Sequence, residues 1–344
     1  MHLPSPTGAI GLGGPGSRSD TPRVTPAGPK TGRLPCTLSL DLDDAWTYLR
    51  AAGRPGWETA PTLVPVVCER LLALLERWRV CATLFVITRD LEDPVKVEAI
   101  RPFVTAGHEI GCHSHWHHPH FATLSRTELE HEILGAADRI ESVLGVRPRG
   151  FRAPGFAQNP HTADVLRTGG FHYDASLLAT FLGPVARTWY FLHSGMSAEE
   201  RRRRSAMFGS LGDVLRSQRP GPLVGSPPLA SIPVTVVPLL RTPFHTSYLL
   251  WLEGIAPTLA RAYLALGLGL CRATSMPPSY LLHSLDFVGR EEARGLGFFP
   301  GMDLEWDRKQ RLLDHVLSRL TTNFDVGPLA GHAAQFTRTV PPAA

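Results

Sequence analysis

From about residue 36 the chain alternates short apolar runs with longer stretches whose apolar residues recur every three or four positions. Runs at 36–42, 80–87, 108–112, 149–152, 171–174, 231–237 and 279–284 predict strands, and the patterns at 63–79 and 126–144 predict helices. The second helix opens on Ser125-Arg126-Thr127-Glu128, a capping box that would satisfy backbone amides left free at the helix start. Strand–helix alternation predicts a parallel sheet, and so many repeats predict an α/β barrel. In that architecture catalytic groups gather at the C-terminal ends of the strands.

Two stretches interrupt the alternation and predict an inserted helical and loop region over about 177–273. The first contains Arg201-Arg202-Arg203-Arg204 and then Pro220, Pro222, Pro227 and Pro228; the second runs from Arg241 through a Leu/Ala-rich amphipathic helix ending near Cys271. The arginine run reads as a solvated helix face or, more sharply, as a lid or membrane-surface patch. His245 and Arg241 are further candidates to line a pocket. Residues 1–33, rich in Gly, Pro, Ser and Thr with no apolar core of a secretory signal, read as a disordered tail. The expected division is that tail, a barrel domain at 34–330, and a C-terminal tail at 331–344.

Composition narrows the class. With 344 residues, 43% hydrophobic and 19% charged, the chain can bury a sizeable core. A net charge of +4 is too slight to suggest nucleic acid, and no run of about 18 apolar residues suggests a membrane span. Five cysteines without a Cys-x-x-Cys pair predict reduced core thiols in a cytoplasmic protein.

The candidate chemistry sits in two clusters, Asp41-Leu42-Asp43-Asp44 and His113-Ser114-His115-Trp116-His117-His118. One carboxylate with two imidazoles is a ligand set that leaves a catalytic metal an open position. His113 and His117 are four apart, so one helical turn would set both on one face. Asp41 and Asp43 are two apart, so on a strand both point to one side. One can then bind metal while the other takes a proton from water. The adjacent pair Asp43-Asp44 is an open alternative, although Asp44 would turn away from the face that Asp41 and Asp43 share. His115 and His118 compete less well with His117, one being too close to His113 and the other off the four-residue spacing.

These residues, with Arg152-Ala153-Pro154-Gly155, Tyr173-Asp174-Ala175-Ser176 and Leu281-Leu282-His283, resemble in order the five motifs of the NodB-homology polysaccharide deacetylases, carbohydrate esterase family four. The Asp-x-Asp spacing resembles a peptidoglycan-deacetylase-like branch. Taken singly, Arg152 would read as a surface guanidinium, Asp174 as a turn residue and His283 as a core histidine; their order reverses that. The resemblance implies a distorted (β/α)7 barrel with Asp43, His113 and His117 as metal ligands and Asp41 as general base. Arg152 would hold Asp41 ionised, and His283 would be the general acid, kept protonated by a pairing with Asp174. The implied cofactor is a divalent metal, with zinc the first candidate.

The expected activity is hydrolytic removal of an N-acyl group, acetyl before formyl, from an amino sugar or glycan. Two alternatives stand beside it: a deformylase or deacetylase of a lipid-linked amino sugar, peripheral to the inner membrane face, and a carbohydrate-binding protein that has lost catalysis.

Overall fold

The computed structural model describes residues 32–183, 188, 196–205, 211–292 and 295–337. The expected N-terminal tail lies outside them, apart from its last two residues. Strand β1 (Pro35–Leu42) is buried along almost its whole length, as a strand flanked by neighbours and covered on both faces must be. Strands β2 (Thr83–Val86) and β3 (Glu109–Cys112) follow parallel to it, then β4 (Gly150–Phe151) and β5 (Tyr173–Asp174). Strand β6 (Gly221–Leu223) is antiparallel to β7 (Leu229–Ser231), and β7 returns to the parallel set beside β5. Strand β8 (Ser279–His283) closes on the other side of β1, so the order is β6-β7-β5-β4-β3-β2-β1-β8. Seven strands run parallel before the last helices, which is the predicted (β/α)7 barrel. Between β7 and β8 the wall is completed by loop contacts, such as the amide of Thr235 donating to the carbonyl of Ser279 at 3.0 Å.

The helices arise as patterned. Val64–Trp78 packs its buried Val67, Leu71, Leu74 and Leu75 inward. The capping box at Ser125 forms, and the predicted helix runs on through a π turn, His131–Gly135, into Ala136–Leu144. The expected strand at 80–87 shortens to 83–86. A ninth strand, β9 (Asp325–Gly327), pairs with Pro35–Thr37. Thr37 also pairs with Ser279 of β8, so β9 must occupy the β2 side of β1, where residues 80–82 would otherwise extend. Helix Leu329–Thr337 then packs across this end, burying Leu329, His332 and Ala333, and so runs past the expected boundary at 330.

The excursion after β5 is shorter than its predicted span. Residues 229–231 are a barrel strand, and Thr246–Ile255 and Pro257–Ala273 form the crossover to β8. The single predicted helix is two because Pro257 lacks the amide to continue it and Ala256 is extended.

Candidate functional site

Every motif read from the sequence lies at the C-terminal end of a parallel strand. Asp41 is the last but one residue of β1 and Asp43 follows the strand; His113 follows β3, Arg152 follows β4, Asp174 ends β5 and His283 ends β8.

Asp41 and Arg152 form the buried centre. Arg152, fully enclosed, donates through Nη1 to Asp41 Oδ1 at 2.6 Å and to Ser39 Oγ at 3.0 Å, and through Nε to the Ala175 carbonyl at 3.1 Å. Its guanidinium lies 4.3 Å over the Phe85 ring. Gly111 makes room there, since a Cβ on it would come within 2.5 Å of that ring. Burial alone would raise the Asp41 carboxyl, but Arg152, His113 and His283 outweigh it and hold the group below its ordinary value. Asp41 is therefore an ionised carboxylate in a dry place.

Asp43, His113 and His117 form a second cluster, each offering a ligand atom within 4.8 Å of the others. Asp43 Oδ1 is 3.6 Å from His113 Nε2 and 3.3 Å from His117 Nε2. Ligand atoms of a tetrahedral zinc with bonds of ~2.0–2.1 Å lie roughly 3.3 Å apart, so the set fits such an ion. His113 Nδ1 meets the Arg152 carbonyl at 2.7 Å, so as the donor there it leaves the Nε2 lone pair facing the cluster. The donor set also needs a cation. Asp43 Oδ1 is buried without a hydrogen-bond partner, and burial, with Asp41 and Asp90 nearby, pushes its carboxyl well above the ordinary range. Burial likewise pushes both imidazoles down, so they sit neutral as ligands must.

The helical turn expected between His113 and His117 does not form. The segment is a tight loop in which Ser114 (φ 68°) and His117 (φ 48°) adopt left-handed backbone. Ser114 Oγ accepts from the amide of His117 at 3.0 Å, and Glu132 accepts from the amides of His115 and Trp116 at 3.1 and 2.9 Å. Side-chain acceptors thus replace the helix ladder. The competing histidines are engaged elsewhere, His115 with Thr88 Oγ1 and His118 with Glu132.

Asp44 points away from both clusters. Its Oδ1 accepts from the amides of Ala45 and Leu63, both at 2.7 Å, capping helix Ala45–Ala51, and its Oδ2 meets Lys96 Nζ at 2.7 Å. With its lone pairs so occupied, it does not fit the adjacent-pair alternative.

The pairing anticipated for Asp174 is taken by other residues. Asp174 Oδ1 accepts from the amide and hydroxyl of Ser176, a local turn at the strand end. His283 Nδ1 instead meets Ser247 Oγ at 3.1 Å, and Ser247 donates to Asp286 Oδ1 at 2.8 Å. Asp286 also accepts from the His283 amide at 2.8 Å. The spacing His283-x-x-Asp286 was a usable sequence signal, since an acid three residues after a turn start reaches back to its amide. Ser247 carried no such signal. Tyr48, whose buried hydroxyl draws the Asp43 carboxyl down against the effect of burial, was also missed. His245 does reach the site, its ring 5.4 Å from that of His283. Arg241 does not line it, donating instead to the carbonyls of Val214 and Arg216 in the excursion.

Known proteins resemble this chain in sequence and in fold. A family model described as polysaccharide deacetylase matches residues 42–173. A peptidoglycan deacetylase from Helicobacter pylori is 29% identical over 135 residues, which are 38% of this chain and 45% of that protein. The chain thus aligns with less than half the length of this relative. A Mycobacterium smegmatis structure described as a polysaccharide deacetylase is 22% identical with a TM-score of 0.52, covering 93% of this chain and 99% of that one. The PuuE allantoinase structure reaches a TM-score of 0.53 at 15% identity, over 93% of this chain and 96% of its own. At such identities the two structures speak for the fold alone. With polysaccharide-deacetylase sequence over residues 42–173 and the matching barrel around it, the resemblance to the NodB-homology polysaccharide deacetylases is borne out.

Proposed function

We propose that this protein is a metal-dependent amidohydrolase that removes an N-acyl group, acetyl in the first instance, from an amino sugar of a glycan. One observation carries the reading. An ionised, Arg-held carboxylate (Asp41) and a two-histidine, one-carboxylate cluster (Asp43, His113, His117) lie together at the C-terminal ends of the strands, with His283 beside Asp41 on the paired strand β8. The family match and the peptidoglycan deacetylase relative support a carbohydrate amide as substrate.

A bound divalent ion, zinc by the nitrogen and oxygen donors present, would supply Lewis acidity toward an amide carbonyl and lower the pKa of water from 15.7 to about 7. The residues do the rest. Asp41 accepts the proton of the attacking water, and Arg152 keeps it ionised and fixed in direction. His113 is held in its Nε2-facing tautomer by the Arg152 carbonyl, so one residue orients both base and ligand. His283 donates a proton to the leaving amine, its ring set by Ser247 and, through it, Asp286.

A lipid-carried amino sugar is a second reading, favoured by exposed Leu215, Leu239 and Leu240 between β5 and β8 and exposed Trp251 on helix Thr246–Ile255. Arg241 ties the first of these to the next two by bonding Val214 and Arg216. On that reading the protein would sit at the inner membrane face.

The test combines elemental analysis with assay of released acetate and formate. The wild-type protein is expected to hold one divalent ion per chain. His113→Ala should lose it and Asp44→Asn should keep it. Asp41→Asn should keep the ion while turnover falls about 10²–10⁴-fold. Full occupancy in His113→Ala sinks the ligand assignment. Sugar binding without release of either acid would leave a carbohydrate-binding protein instead.

A further inference from the structure

The barrel mouth has a rim of cations and tryptophans that the chemistry above leaves without a task. Trp46 and Arg50 stand on helix Ala45–Ala51, Trp57 follows it, and Arg89 lies just beyond β2. Trp116 belongs to the loop that carries His113 and His117. The Arg89 guanidinium lies 4.6 Å from the Trp116 ring, 4.8 Å from Trp46 and 5.8 Å from Trp57. That of Arg50 lies 5.2 Å from Trp57 and 5.8 Å from Trp116. The two arginines share two rings, so their charges are close; burial, and after it the charges of Arg89 and Arg204, push the Arg50 guanidinium down, while Glu132 and Glu58 act the other way.

The rim differs from an ordinary stabilising stack in how its N–H edges are used. Arg50 spends its edge within the protein, donating from Nη1 to the Trp116 carbonyl at 2.8 Å, with Nη2 3.2 Å from His118 Nδ1. The nearby acid, Glu132, is engaged with the His115 and Trp116 amides and with His118. Arg89 forms no side-chain hydrogen bond or ion pair among the described residues, and it is only partly buried. Rings that cover a guanidinium's faces restrict its rotamers and leave its planar N–H edge as the surface it can offer. That edge matches a carboxylate or phosphate in two parallel bonds.

We propose that Arg89, with Arg50 beside it, is a subsite for an anionic substituent of the substrate, so that the enzyme favours an acidic N-acyl amino sugar over a neutral one. This rests on the amidohydrolase reading and deepens it. The anion is either a carboxylate carried on the sugar or a phosphate at its anomeric carbon. Both suit one guanidinium edge, and both put the negative charge beside Arg89, whose N–H edge forms no side-chain hydrogen bond or ion pair among the described residues. Trp57 and Trp116, half-exposed at the same rim, offer ring faces to the sugar itself.

The test is a tryptophan-fluorescence titration of the metal-loaded protein with N-acetylglucosamine, N-acetylmuramic acid and N-acetylglucosamine 1-phosphate, alongside acetate release from each. One of the two acidic sugars should bind about 10- to 100-fold more tightly than the neutral one, the worth of hydrogen bonds to a charged group. Which of them does so distinguishes carboxylate from phosphate. Arg89→Gln should remove most of that preference, and Arg89→Lys should keep part of it, because charge remains while the fork is lost. Raising salt should narrow the gap. Equal binding of all three sugars, or a preference that survives Arg89→Gln, would overturn the subsite. Acetate release without a preference for charge overturns this inference alone. A charge preference that depends on Arg89 with no acid released overturns the hydrolase reading and leaves the subsite standing.

Discussion

The two halves of the barrel solve different problems. From β1 to β4 the strands pair side by side, and the buried charges outside the metal cluster have assigned partners: Arg152 for Asp41, Lys96 for Asp44 and Asp90, backbone amides for Glu132. From β5 to β8 the strands are joined by an excursion and two helices. This half gives the site His283, Ser247 and Asp286, and gives the surface Leu215 and Leu239, 88% and 79% exposed. A buried ion pair tolerates no slack, because a charge in a dry interior with a displaced partner costs several kcal/mol. The regular half can hold such a pair. The irregular half is free to vary what the mouth touches.

Removing the central cation should break the first half. Arg152→Met would leave Asp41 buried and unpaired, and a loss of about 3–5 kcal/mol is expected at pH 7. The sign follows from the Asp41 carboxyl, which Arg152 and the nearby histidines hold below its ordinary value against the effect of burial. In the wild type that pairing contributes stability above the unfolded carboxylate pKa, and the contribution is lost as pH falls through the folded value. In the variant burial acts unopposed by Arg152, so Asp41 favours the protonated form and the folded state gains as pH falls. The difference between the two proteins should therefore be largest near neutrality and shrink through the carboxylate range. Part of it should persist, because the bonds from Arg152 to Ser39 and Ala175 do not titrate. Denaturant unfolding at pH 7 and pH 4 measures this, and an equal loss at both would mean that packing, not the ion pair, carries the effect.

The second half is sharpened by comparing its two acids. Asp286→Asn should lower turnover through His283, by less than the about 10²–10⁴-fold expected of removing a general acid outright. Ser247→Ala should do the same. Asp174→Asn should leave turnover unchanged, because Asp174 is spent on Ser176. If Asp174→Asn lowers turnover and Asp286→Asn does not, the pairing expected from sequence is the functional one.

That exchange of acids marks where sequence reading stopped. Asp41, Asp43, His113, Arg152 and His283 were legible because each sits at or just past a strand end, and a strand end is written locally as an apolar run that stops. Their partners are another matter. Asp44 and Asp43 are neighbours in sequence, and only the start of helix Ala45–Ala51 and the arrival of Lys96 from elsewhere decide that Asp44 caps and pairs. Ser247 meets His283 across 36 positions. The loop from His113 to His117 was misread as a helical turn because its hydrogen bonds are made by side chains, Ser114 Oγ and Glu132, which the spacing of two histidines does not reveal. The strand expected at 231–237 pairs only at its start, as β7 at Leu229–Ser231, because the residues after it turn to meet Ser279 and Pro243 singly rather than in a ladder.

The smallest effect tests the surface of the irregular half. If the exposed leucines meet a lipid surface, the short helix Ala198–Arg203 in the same excursion is a further source of basic residues. Of its arginines, Arg203 already pairs with Glu199 at 2.9 Å, Arg204 lies near Glu200, and Arg201 is half-buried. Arg202 is exposed and forms no ion pair among the described residues. The protein should bind anionic vesicles at low salt and release as salt shortens the Debye length below about 8–10 Å. Arg202→Gln should weaken that binding by about 1 kcal/mol, roughly five-fold, with metal content unchanged. Leu239→Ser should weaken it too, and that loss should persist at high salt because apolar burial is not screened. Vesicle co-sedimentation separates the two. Absence of binding at low salt, with full activity on soluble oligosaccharides, would mean that the exposed leucines border a mouth that takes its substrate from water.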